Sequence, residues 1–144
     1  MAAVVAVGMA PAPAPGQEDL GAAALRLTAA WSGGDVASLA ALMRPEGIGL
    51  HLPGRSSPAL GTRQARAALA DFLEEAGPGT ATLTRVEDLG GTPGQGFAEL
   101  AWSAAAGPSA RGPYTVFVGF FVTDGAWRIA EIRIFSGTVS RPWP

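Results

Sequence analysis

The residues of this chain that could move a proton are few: one histidine, one tyrosine and twelve acidic residues, beside ten arginines, no lysine and no cysteine. His51 is the first candidate for general acid/base work, because an imidazole titrates nearest neutrality. It lies in Ile48-Gly49-Leu50-His51-Leu52-Pro53, an alternating strand that sends Leu50 and Leu52 to one side and His51 to the other. If the leucines face a pocket, His51 faces away from it. Tyr114 and Glu99 are the further groups able to exchange a proton. Glu131 and Arg133 stand two apart on the last strand and so share a face, either reading a polar ligand or pairing at the rim of a sheet interface. The second is the expectation. There is no His/Asp/Glu cluster at metal spacing, no Gly-rich phosphate loop and no serine nucleophile motif. The absence of cysteine excludes disulfides, thiolate catalysis and Cys-ligated zinc. No metal and no cofactor are expected, and catalysis is the less expected reading.

These residues must be positioned by a sheet, and its clearest part is Pro113 to Phe135. Two β-branched and aromatic runs flank Asp124-Gly125, whose tolerance of positive φ predicts a two-residue hairpin turn. Uninterrupted pairing would place Val122 opposite Trp127, Phe120 opposite Ile129, Val118 opposite Glu131, Val116 opposite Arg133 and Tyr114 opposite Phe135. Both faces of such a hairpin are largely apolar, so both should be covered. Helices on one side and a second subunit on the other satisfy that requirement, and a homodimer joined through the sheet is expected.

Ahead of the hairpin, Leu20, Ala24, Leu27 and Trp31 recur at helical spacing, with Glu18 and Asp19 in the first turn and Ser32-Gly33-Gly34 as a stop. Asp35 reads as the N-cap of a shorter helix through Val36, Leu39, Leu42 and Met43. The strand at Ile48 to Pro53 follows, then a Gly/Ser/Pro-rich loop from Gly54 to Gly61. Thr62 is expected to cap a third helix with the stripe Ala65, Leu69, Phe72, Leu73 and Ala76. Thr80 to Leu89 and Gly96 to Ala104 read as strands. Residues 17 to 136 make one domain, and 137 to 144 an irregular tail. Met1 to Gly16 combines a short apolar run with alternating Ala-Pro. It reads as a secretory signal peptide or a flexible leader, the first implying export to the periplasm or beyond. Its apolar run is too short to span a bilayer. A net charge of −2 with dispersed arginines gives no basic stripe for nucleic acid.

The order helix, helix, strand, helix, four strands, together with particular phrases, resembles the nuclear transport factor 2-like superfamily, which includes SnoaL-like cyclases and ketosteroid isomerases. Leu27-Thr28-Ala29-Ala30-Trp31-Ser32-Gly33-Gly34-Asp35, Leu50-His51-Leu52-Pro53-Gly54, Gly61-Thr62-Arg63-Gln64-Ala65 with Phe72, and Trp127-Arg128-Ile129 through Ile132 and Phe135 carry the likeness. It covers about Leu20 to Phe135 and looks most like uncharacterised exported bacterial domains of that superfamily.

The resemblance implies an α+β fold in which a curved, mostly antiparallel sheet and three helices form a cone around a pocket. Ketosteroid isomerases place their base at the position that is Leu52 here, and an apolar side chain cannot move a proton. Superfamily epoxide hydrolases use two aspartates bridged by an arginine. Arg85, Glu87 and Glu99 could offer such a set, although simple hairpin pairing puts Glu99 on the opposite face. The likeness also turns Ile132 and Ile134 inward, and with them Phe117, Gly119, Phe121 and Ala130. The pocket lining expected is therefore Leu27, Trp31, Leu52, Phe72, Phe117, Phe121, Ile132 and Ile134, suited to an apolar small molecule. A binding or scaffold domain is the expected function. The alternative is a SnoaL-like lyase, isomerase or hydrolase using His51, Tyr114 or Glu99.

Overall fold

A computed structural model describes residues 19–76, 79–104 and 113–136. The expected signal-like leader and the irregular tail lie outside these residues. Helix α1, Leu20–Ser32, starts at Asp19, whose carboxylate accepts from the Ala22 N–H at 2.7 Å. Helix α2, Val36–Leu42, starts at Asp35 in the same way, with Ser38 N–H donating at 3.1 Å and the Ser38 hydroxyl at 2.6 Å. Those two hydrogen bonds, the hydroxyl's foremost, hold the Asp35 carboxyl below the ordinary aspartate range. Helix α3, Thr62–Ala76, departs slightly from expectation. Gly61 sits at the cap position, its carbonyl accepting from Ala65 and its N–H donating to Gln64, while the Thr62 hydroxyl donates to the Arg44 carbonyl.

Six strands form one curved sheet: β1 (Ile48–Leu52), β2 (Arg55–Leu60), β3 (Gly79–Gly90), β4 (Gln95–Ala104), β5 (Tyr114–Thr123) and β6 (Ala126–Ser136). The spatial order is β2-β1-β6-β5-β4-β3, antiparallel throughout except for the parallel β1–β6 pair. Strand β2 replaces the loop read for Gly54 to Gly61. Pro53-Gly54 turns the chain back, and Arg55–Leu60 pairs with β1. It is an edge strand, the place where a sheet tolerates Pro58 and polar side chains. Asp124 and Gly125 have φ of 53° and 78°, as the hairpin turn requires.

Uninterrupted pairing of the hairpin is overturned. Gly119 pairs with Glu131, but Phe120 pairs with Ile129, so Ala130 is an extra residue in β6. A bulge of this kind reverses the alternation beyond it. Trp127 and Ile129 face the helices before it, and Ile132 and Ile134 after it; all four are buried. Opposite them Tyr114, Val116, Val118 and Phe120 face the helices, which turns Phe117, Gly119 and Phe121 to the other side. A second bulge, at Thr84 in β3, brings Arg85 opposite Glu99, so Arg85, Glu87 and Glu99 share a face after all.

The helices cover only one face of the sheet, α1 over β3 and β4, α2 at β6 and α3 over β1 and β2. Close approach at the start of α1 depends on Gly96, where a Cβ would strike Leu20 Cδ2 and the Glu87 carbonyl oxygen at 2.8 Å. The core between the layers is apolar, and among the described residues Thr115, on the opposite face of the sheet, is the buried polar one.

Candidate functional site

Two places in this framework hold enough shape or chemistry to act on another molecule: the helix-covered interior and the open face of the sheet. Strands β1, β4, β5 and β6, helix α3 and the last turn of α1 supply the interior. Its centre is a chain of four rings. Trp31 meets Trp102 edge-on at 5.8 Å, Trp102 lies 4.8 Å from Tyr114, and Phe72 caps both, at 5.8 Å and 5.9 Å. These aromatics fill the middle of the interior, as offset and tilted pairs do in a packed core. Partly open clefts surround it, and two of them touch its rings. One of about 510 Å³ lies beside Trp31 and Trp102, bounded by Val36, Ala70, Leu73 and Gly79. The other, of about 420 Å³, lies beside Phe72, Tyr114 and Leu52, with Arg55, Asp71 and Glu75 at its edge.

The eight residues expected to line one pocket are therefore divided. Leu27, Trp31, Leu52, Ile132 and Ile134 are buried on the helix side, and Phe72 is half-buried beside them. Phe117 and Phe121 are half-buried on the open face, a consequence of the Ala130 bulge that no alternation rule anticipates.

The open face carries the charge. His51 pairs in register with Arg133, and Glu131 Oε2 accepts from Arg133 Nε at 2.9 Å and Nη2 at 2.8 Å while lying 3.2 Å from His51 Nε2. The Glu131–Arg133 pair expected on the side away from Ile132 and Ile134 is present there, and His51, also pointing away from Leu50 and Leu52, joins it. Toward β3, Arg85 binds Glu87 at 2.9 Å and lies 5.1 Å over the Phe97 ring, which in turn meets Phe117 at 5.1 Å. Arg44 lies 5.6 Å over Phe121. A groove of about 300 Å³ runs between these groups over Gly49, Gly96 and Gly119.

Chemically, the Glu131 oxygen is engaged by the Arg133 guanidinium and lies against His51, a geometry that ties the three side chains to one another. His51 and Glu99 lie on β1 and β4, three strand spacings apart, or about 14 Å. Tyr114 points to the opposite face from both. The three acid/base candidates are not brought together. Among the described residues, no three His, Cys, Asp or Glu side chains converge as a metal set would. No described helix is long and apolar enough to cross a membrane.

Neither a protein-family model nor a curated protein matches this sequence. Solved structures do. A DUF4783 family protein from Bacteroides ovatus aligns with a TM-score of 0.65 at 16% identity over 79% of this chain and 94% of its own. A ketosteroid isomerase-like protein from Erwinia carotovora atroseptica aligns at 0.65 and 18% identity, over 83% and 95%. The fold is nuclear transport factor 2-like. An NTF-2 like protein of unknown function from Shewanella oneidensis adds to the set at 0.58 and 16% identity, covering 78% and 93%. Likeness at these identities extends to the fold alone.

Proposed function

We propose that this chain is a non-catalytic binding or scaffold domain that receives apolar small molecules at its helix-covered interior and pairs with a second copy through the open face of its sheet. The observation that carries the reading is the segregation of chemistry from cavity. Apolar and aromatic side chains line the buried side, while His51, Glu131, Arg133, Arg85, Glu87 and Glu99 all stand on the other. The ionisable groups at the two helix-side spaces are Tyr114 and, at their edges, Glu74, Arg55, Asp71 and Glu75, with His51, Glu131 and Glu99 turned away from both, so the spaces are better suited to holding a molecule than to transferring its protons. Pairing through the open face is supported by Phe117 and Phe121, which stay half-exposed beside the covered Phe97 ring where an uncovered sheet would be polar.

The enzymatic alternative, a lyase, isomerase or hydrolase using His51, Tyr114 or Glu99, has the His51–Glu131 contact in its favour and the separation of the three groups against it. The deciding experiment is thermal unfolding with naphthalene-sized apolar compounds, run beside sedimentation velocity. A compound at a hundredfold excess over its Kd should stabilise the fold by about 2.7 kcal/mol, and the protein should sediment as a dimer at tens of micromolar. No stabilisation by any compound refutes the binding role, and a monomer with a freely exposed sheet refutes the pairing.

A further inference from the structure

The 420 Å³ cleft between α3 and the ends of β1, β5 and β6 has an apolar floor of Leu52, Pro53, Phe72 and Tyr114, with Arg55, Asp71 and Glu75 at its edge. Two carboxylates against one guanidinium leave it negative. Among the described residues neither Asp71 nor Glu75 is engaged in an ion pair or a hydrogen bond. They stand four apart on α3, a spacing that sets like charges side by side, and Glu75 lies in a last turn without a basic residue, where the helix dipole disfavours an anion. Both arrangements cost helix stability, and a cation seated between the carboxylates relieves both.

Tyr114 points to the same cleft independently. It is 5% exposed, and its hydroxyl has no hydrogen-bond partner among the described residues. The oxygen is not sealed from solvent, for the one unpartnered side-chain atom that is sealed is Trp31 Nε1. Trp102 at 4.8 Å and Phe72 at 5.9 Å cover the phenol ring, and the surface that Tyr114 keeps forms part of the cleft wall.

We infer that this cleft takes an organic cation, a primary ammonium on a short arm from a flat apolar body. The body lies over Leu52 and Phe72, and the three N–H donors of the ammonium meet three acceptors, the Asp71 and Glu75 carboxylates and Tyr114 Oη. The inference rests on the binding role proposed above and specifies the ligand class at this end of the interior.

Three naphthalenes of nearly equal size separate charge from body: 2-(2-naphthyl)ethylamine, a cation at neutral pH, 2-(2-naphthyl)ethanol, which is neutral, and 2-naphthylacetate, an anion. Each is titrated calorimetrically into the full chain at low salt. The amine should bind about tenfold more tightly than the alcohol, the scale of two part-exposed ion contacts with rings beside them, and the acetate should bind most weakly. Asp71→Asn combined with Glu75→Gln, both at exposed positions, should equalise amine and alcohol, whereas Glu46→Gln, exposed and outside the cleft, should leave the preference intact. Tyr114→Phe should weaken the amine about fivefold, the scale of one hydrogen bond. Equal binding of amine and alcohol to the native protein, or an amine preference that survives the double substitution, overturns the cation inference while leaving the binding role standing. An amine affinity untouched by Tyr114→Phe overturns the placement of the ammonium. Binding of none of the three compounds overturns the cation inference and the binding role together.

Discussion

Truncating Ile132 and Phe117 to alanine, one at a time, measures the faces that the Ala130 bulge assigns. Ile132 is fully buried beneath the helices. Ile132→Ala removes three carbons worth about 0.8 kcal/mol each, roughly 2.4 kcal/mol in transfer alone. A cavity that relaxes only in part brings the cost to about 3 to 4 kcal/mol. In a domain of this size that lowers Tm by on the order of 10 to 15 °C. Phe117 is half-buried on the open face with the Phe97 ring at 5.1 Å. In an unpaired protomer, losing that contact costs about 1 kcal/mol. Where a second copy covers the face, the cost of Phe117→Ala rises with protein concentration by mass action, whereas that of Ile132→Ala stays constant. Urea and thermal unfolding at about 2 μM and 200 μM, both set by the need to straddle association, read the difference directly. A loss of about 3 to 5 kcal/mol from Phe117→Ala at the lower concentration, the signature of a core phenylalanine, would refute the face assignment. A loss near 1 kcal/mol from Ile132→Ala would refute it as well.

Asp35→Ala should lower Tm by a few degrees near neutral pH by removing the α2 cap. Because the folded carboxyl sits below its ordinary range, its contribution is present above the unfolded value near pH ~3.9 and disappears as pH falls through the folded value. The gap between variant and parent should therefore be flat from about pH 5 to 8 and close below about pH 4. Gly96→Ala should cost about 1 to 3 kcal/mol through overpacking against Leu20 and the Glu87 backbone. Its effect should be non-additive with Leu20→Ala in a double-mutant cycle; strict additivity would mean that α1 does not rest on Gly96. Glu131→Gln should cost no more than about 1 kcal/mol, since its partners are part-exposed, and 1 M salt should shrink the difference. A larger, salt-insensitive loss would indicate that the cluster is desolvated by a partner.

The helices were legible because their signals are local. Asp19 and Asp35 cap, Gly33-Gly34 stops, and Leu27, Trp31, Leu39 and Leu69 recur on buried stripes. The Asp124-Gly125 turn was legible for the same reason. Strand β2 was not, because an edge strand with one neighbour and exposed side chains needs no hydrophobic period to form. The bulges at Thr84 and Ala130 escaped alternation, yet β6 carries a trace of its own. Ile129 and Ile132 are three apart between two runs that each alternate, a spacing no regular strand can place on one face. The meeting of His51 with Glu131 and Arg133 had no local signal at all, since it depends on β1 lying parallel beside a strand about eighty residues further along the chain.

That parallel pairing also sets an order on how the molecule can be made. Helices α1 to α3 and the β1–β2 ribbon are all synthesised before β6, the strand against which β1 must lie. Until Ala126–Ser136 has emerged, Leu50 and Leu52 have neither their flanking strand nor the hairpin core to close over them. Two-stranded ribbons are marginal by themselves, and pairings this distant in sequence are formed late because the loop must close before any contact rewards it. The N-terminal half should thus stay open and protease-sensitive through most of translation, then close in one cooperative step with the final strand. Ribosome-bound chains halted before Ala126 should be digested within α1 to β2, and chains long enough to expose Ser136 should resist; protection of the shorter chains would show that the helical half folds unaided.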